Sequence, residues 1–267
     1  MTTPLSLLQR AVPALICALG FASAGVAAEP ASIDKVLAGS QRSDANRARD
    51  VYRHPKETLA FFGVKPDSTV IEVFPGGNWY AEVLAPYLAD SGHYYALTSS
   101  QRGKKATEER FAKSPIYAKA KVAAFALPNN VEGAPEGGAD FVLTFRNVHN
   151  LLDDDLFDNY LKAFYSALKP GGVLGVVEHR AKPDAKMKQF IYTGYVTEAY
   201  VIKHAEMAGF KLDAKSEINA NPKDTKDHPK GVWTLPPTLE MKDVDKEKYL
   251  AIGESDRMTL RFVKPAK

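Results

Sequence analysis

With 267 residues, 45% hydrophobic and 25% charged, the chain can bury one sizeable core, and its composition excludes wholesale disorder and coiled coil. Its 35 Lys and Arg against 32 acidic residues give a formal charge of +3, too weak an excess to argue for nucleic acid. The one cysteine, Cys17, falls in the leader that opens the chain, so a processed protein has no thiol chemistry, no disulfide and no cysteine-held zinc.

That leader has a sparse positive region ending at Arg10, an apolar run from Ala11 to Phe21, and small residues in "ASAGVAA". This is the order of a secretory signal peptide, with Val26 and Ala28 suited to the positions before a cut ahead of Glu29. Residues 1–28 are therefore predicted to be removed, and the protein to be periplasmic or secreted. The apolar run is about half of the ~20 residues a membrane-spanning helix needs. A lipid anchor at Cys17 would want a small residue before it, where Ile16 stands.

Next, "RSDANRARDVYRHPKETLAFFGV" has apolar residues at helical spacing, with Pro55 suited to a first helical position and Gly63 to a stop, which predicts two short helices. The β-branched run "STVIEVF" (68–74), bounded by Pro66-Asp67 and Pro75-Gly76-Gly77, predicts a strand buried on both faces. A helix follows over roughly Trp79 to Ala89. "HYYALT" predicts the second strand, "QRGKKATEERFAKSPIYAKA" a charged surface helix and its exit, "KVAAFAL" the third strand and "ADFVLTFRN" the fourth. Asp153 to Leu168 is predicted helical, opening with three aspartates. "GGVLGVVEHR" is the fifth strand, Tyr195 to Ala208 a helix, and "FKLDAKSEI" the sixth strand.

Asn219 to Ser255 is too long for an ordinary connection. Its "GVWTLPPTLEM", with Trp233 and Leu235 before a double proline, suits either a stiff apolar flap over a site or plain packing on a helix. "DRMTLRFVKP" closes the chain as a last strand, antiparallel because no strong helix precedes it. The alternation predicts an α/β fold, a seven-stranded, mostly parallel Rossmann-like sheet with helices on both faces, as a single domain over 29–267 carrying an insertion at 219–255.

"EVFPGG" ending the first strand and "LKPGG" entering the fifth, within this strand order, resemble the class I S-adenosylmethionine-dependent methyltransferases over roughly Leu59 to Pro265. The strings "YRHPKETLAFFG", "PGGNWYAEVLAPYL", "TFRNVHN" and "GVWTLPP" are similar to an exported bacterial group of predicted methyltransferases. The resemblance implies S-adenosylmethionine as cofactor and a small-molecule acceptor. It places the donor's methionine part on Glu72, Gly76, Gly77 and Asn78, where glycine backbone and a helix N-terminus near Asn78 suit a carboxylate. The alternative is that the two glycines only supply a turn. Two positions depart from the family pattern. Phe74-Pro75 stands where a glycine is usual, and the second strand ends in Thr98, Ser99 and Ser100 in place of an acidic residue for the ribose. A hydroxyl holds a ribose less firmly than a carboxylate does. At the third strand's exit, Asn129 or Asn130 is available to the adenine amine.

The fourth strand's exit, "TFRNVHN", groups Arg146, Asn147, His149 and Asn150. Arg146 suits an acidic acceptor, Asn147 its orientation, and His149 the removal of its proton near neutral pH. The competing reading has the asparagines tying up the loop and His149 bonded to backbone. "VVEHR" brings Glu178, His179 and Arg180 to the same edge, with alternation sending only one of Glu178 and His179 into the crevice. His54, in "YRHP", suits either a site or a helix cap. The six histidines lack H-x-x-x-H and H-E-x-x-H spacing, so no metal site is predicted. Serine-hydrolase, P-loop and G-x-G-x-x-G dinucleotide signatures are absent. The rival functional expectation is an exported binding or scaffold protein that kept the fold and lost the methyl donor.

Overall fold

The computed structural model describes residues 1, 32–126, 128–152 and 156–266. The predicted leader lies outside the described residues, apart from Met1, and so does the aspartate run 153–155. Eight strands form one sheet: β1 (Thr69–Val73), β2 (His93–Thr98), β3 (Lys121–Ala126), β4 (Asn130–Glu132), β5 (Ala139–Phe145), β6 (Leu168–His179), β7 (Lys211–Ser216) and β8 (Arg257–Val263). Their order is β4-β3-β2-β1-β5-β6-β8-β7. β1 pairs in parallel with β2 and β5, β2 with β3, and β5 with β6, while β8 runs antiparallel to both β6 and β7.

The sheet thus has one strand more than the seven predicted. β4 folds back antiparallel on β3 through three residues, of which only Val131 is buried. A segment that short carries no readable periodicity.

β1 is buried on both faces because its side chains feed two cores. Ile71 and Val73 join Val142, Leu174 and Val176 under the helices Phe157–Ala167 and Glu198–Met207. Val70 joins Phe62, Leu84, Tyr94, Leu143 and Val177 on the opposite face, under Pro55–Phe62 and Ala81–Leu88. The period of two along each strand is what splits the core in this way.

Several boundaries differ from expectation for local reasons. The helix after β1 begins at Ala81, two residues later than expected, because a turn through residues 77–80, with Asn78 at φ +65°, comes before it. The predicted helix from Asp153 is seen from Phe157, and the one from Tyr195 starts at Glu198, where the Thr197 hydroxyl accepts from Tyr200 N. The "RSDANRARDVYRHPKETLAFFGV" stretch gives three short helices in place of the two expected, Asp44–Arg47, Asp50–Arg53 and Pro55–Phe62. His54 joins the last two in a left-handed conformation without a side-chain cap bond. Helix Met187–Thr193, which sequence did not predict, follows β6. The 219–255 segment is ordered by a 3-10 turn at Gly231–Thr234 and a helix at Lys246–Ile252.

Candidate active site

A cavity of about 340 Å³ opens at the carboxyl ends of β1, β5 and β6, where open α/β sheets place their ligands. Glu72, Phe74 to Gly77, Phe145 to Asn147, His149 and His179 line it from the sheet, Arg49 and Arg53 from the N-terminal helices, and Trp233, Pro236 and Pro237 from the long insertion. β2 and β3 contribute no lining residue among those described.

Two strand exits meet there in strained backbone. Phe74 leaves β1 at φ +49° and Arg146 leaves β5 at φ +59°. A non-glycine residue in this region is costly and persists where the surroundings enforce it. They do so here: Phe74 N donates to Leu97 O at 2.8 Å, and Arg146 N donates to Val177 O at 2.7 Å. Asn147 ties the two exits together, its Nδ2 donating to Val73 O at 2.9 Å and Phe74 O at 3.2 Å, while Asn150 donates to Asn147 Oδ1 at 3.3 Å. The loop-tying reading of the asparagines therefore describes what they do.

The glycine turn stays open. Gly76 has φ +54°, and a Cβ placed on Gly77 would meet nothing within 4 Å. The Phe74 ring packs edge-on against Tyr160 at 5.7 Å, and Tyr160 lies 4.0 Å from the Phe125 ring of β3, so this aromatic group builds toward β3 and leaves the glycines bare. Glu72 projects beneath the turn and accepts from the Tyr94 hydroxyl at 2.6 Å. Burial raises its pKa to about 7, against the opposing pull of Tyr94 and Arg146.

The other predicted donor contacts separate. Asn78 does not line the cavity, and its side chain turns inward toward the Tyr117 hydroxyl. Thr98 is buried, its hydroxyl 3.1 Å from both Ser100 O and Ala123 O, and Ser99 is exposed to solvent. Neither lines the cavity. Asn130 is taken into β4.

His149 is bonded to a carboxylate, not to backbone. Its Nδ1 donates to Glu178 Oε1 at 3.1 Å, and the same carboxylate accepts from the backbone N of His149 at 3.3 Å and of His179 at 2.7 Å. Glu178 is fully buried behind the cavity wall, and His179 is the member of the pair that lines it, as alternation requires. His179 Nδ1 meets Ser255 Oγ, leaving Nε2 as the ring nitrogen of each histidine without a hydrogen bond among the described residues. Desolvation, then the neighbouring His149, Arg257 and Arg146, hold the His179 pKa well below the usual value, so this ring is neutral. The ligand atoms of His149, Glu178 and His179 lie within 4.8 Å of one another, a spacing a metal ion can bridge. The guanidiniums of Arg146 and Arg257 oppose a second cation there.

Charge pairs across the whole chain close the floor. Glu254 accepts from Arg49 Nε at 2.7 Å, from Arg53 Nε at 3.0 Å, and from Arg257 Nη2. Arg180, in contrast, is held at the periphery by Asp256, Glu198 and Glu217. Trp79, Tyr80 and Phe145 form an aromatic wall, with Tyr80 and Phe145 stacked at 3.5 Å and Arg53 over the Trp79 ring at 4.8 Å. The Trp233 ring meets His149 edge-on at 5.9 Å, which puts the insertion directly over the histidines. Sequence reasoning passed over Arg49, Glu254 and Arg257, whose signal is pairing at a distance of some two hundred residues.

No protein-family model matches the sequence, and no curated protein matches it. Solved structures match by shape. A SAM-dependent methyltransferase from Aquifex aeolicus superposes with a TM-score of 0.56 at 16% identity, covering 87% of this chain and 98% of that one. The cyclase SpnF gives a TM-score of 0.58 at 16% identity, covering 86% of each chain. A SAM-dependent methyltransferase from Methanosarcina mazei gives 0.51 at 12% identity, covering 78% of this chain and 97% of that one. A cyclase and methyltransferases match alike, so the likeness speaks for the scaffold and not for its chemistry. Sheet order, the antiparallel closing strand and these superpositions give the chain the class I methyltransferase fold.

Proposed function

We propose that the protein is an exported S-adenosylmethionine-dependent methyltransferase acting on a small acceptor. The observation that carries this reading is that one cavity holds both an open glycine turn over a buried carboxyl group and a carboxylate-oriented histidine. The first fits the amino-acid end of the donor, with Gly76 and Gly77 amides facing its carboxylate and Glu72 its ammonium. When bound, the donor supplies an electrophilic methyl group. The chain's own part is to strip and orient the acceptor. Glu178 fixes the Nδ1–H tautomer of His149, which leaves Nε2 to take a proton from the acceptor's attacking atom. Arg146 binds the acceptor, Trp233 and the two prolines exclude water above it, and Asn147 sets the spacing of the strand exits.

Calorimetric titration with S-adenosylmethionine and S-adenosylhomocysteine tests this. Heat and a thermal shift are expected at sub-millimolar ligand, and silence at millimolar concentration sinks the proposal. Sequencing the N-terminus of the secreted protein tests export, with Glu29 the expected first residue.

A second reading has support of its own. The exits of β2 and β3, where a nucleoside would lie, give the cavity no residue, and the Thr98 hydroxyl is held by backbone. On this reading the protein keeps the fold as a small-molecule binding protein without the donor. Mass spectrometry of the natively purified protein separates the two, since a bound molecule unrelated to the donor favours the second.

A further inference from the structure

Among the described residues, six charged ones line the cavity besides its histidines, four arginines (Arg49, Arg53, Arg146, Arg257) and two glutamates (Glu72, Glu254). Burial raises the Glu72 pKa to about 7 and so weakens its negative charge near neutral pH. Glu254 is shared among Arg49, Arg53 and Arg257. Positive charge therefore exceeds negative charge within a partly enclosed space, where unbalanced charge is costly.

The surplus has particular atoms. Arg53 is 3% exposed and its Nη1 has no partner, and Arg257 is 1% exposed and its Nε has none. Arg146 makes no side-chain hydrogen bond or ion pair among the described residues, and its backbone is held at φ +59° beside the histidines. A purely structural clamp on Glu254 accounts for Arg49 and for one edge each of Arg53 and Arg257. It leaves Arg146 and the two spare donors unexplained.

We propose that these three guanidiniums form an oxyanion subsite, so that the small molecule taken by the cavity carries a carboxylate or phosphate group. Arg146 offers it a planar fork, while the buried guanidiniums of Arg53 and Arg257 add positive charge at the cavity floor. The His149 and His179 Nε2 atoms then face the body of the same molecule. This assignment deepens the reading of the cavity as the acceptor site, but it does not require the methyl donor.

The test is donor-free calorimetry and thermal shift on the full chain with inorganic phosphate, benzoate and succinate, each against chloride at matched ionic strength. At least one oxyanion is expected to bind saturably and raise Tm. Phosphate alone points to phosphate esters, and the carboxylates alone to carboxylic acids. Arg146→Met is expected to weaken binding at least about tenfold, the worth of one charge-assisted hydrogen bond. Arg102→Met, on the exposed helix Gln101–Phe111, leaves it unchanged. Should Arg146→Met not fold, Arg146→Lys retains the charge, loses the fork and shows the same loss. Absence of binding by all three anions, or full binding by the Arg146 variants, overturns the proposal. Failure of S-adenosylmethionine to bind while an oxyanion does would end the methyltransferase reading and leave this one standing.

Discussion

The carboxyl edge of the sheet has two unlike halves. At the exits of β1, β5 and β6 and the entry of β8, polar side chains remain available: among the described residues Arg146 makes no side-chain pair, His149 and His179 each keep a ring nitrogen, and the glycine turn is bare. At the exits of β2 and β3, they are already committed, with the Thr98 hydroxyl against Ala123 O and Asn130 drawn into β4. Buried polar groups are normally satisfied by their own protein. The available groups of the first half share one cavity, and that cavity is where the proposed ligand is expected to bind.

Breaking the available half has the largest consequences. His149→Gln should lower donor turnover by about 10²–10⁴-fold with little change in binding, measured as S-adenosylhomocysteine release with an acceptor found by substrate screening. Glu254→Gln leaves three guanidiniums facing each other without a full counter-charge. It should cost about 3–5 kcal/mol in urea unfolding, as expected when a buried ion pair loses one partner. Added phosphate should recover part of that loss.

Glu72 sharpens the same comparison through pH. Its folded pKa of about 7 lies above its ordinary value of 4.5, so as pH rises between these values the unfolded chain releases its proton first and stability falls. The difference amounts to roughly 3 kcal/mol, absent below pH 4.5 and fully expressed above pH 7. Glu72→Gln should therefore stabilise the protein by roughly that amount at pH 8 and by nothing at pH 4, as read from urea midpoints. The smallest effect belongs to the committed half. Thr98→Val should lose about 1 kcal/mol for its hydrogen bond and leave ligand affinity untouched. A large affinity loss there would join the two halves into one donor site.

The contrast also marks what could be read from the residues in order. β1 was legible because "STVIEVF" is bounded by turn residues and buried on both faces, and β5 with its polar exit was legible for the same reason. Glu72, Gly76, Gly77, Arg146, Asn147 and His149, all named from the strand ends, line one cavity. β4 escaped because a single buried valine has no period. The partnership of His149 with Glu178 escaped because alternation describes where a side chain leaves the backbone and not where a carboxylate ends up after two further bonds. Asn78 misled because its φ of +65° turns the side chain inward, a dihedral that composition does not disclose.

The knot of charge at Glu254 joins Arg49 and Arg53 to a residue some two hundred positions later. During synthesis, then, the early helices exist for most of the chain's length with no anchor for their cations. The binding chamber is completed only after the last helix has emerged, so a truncated product ending before that point would retain much of the sheet and have no functional floor.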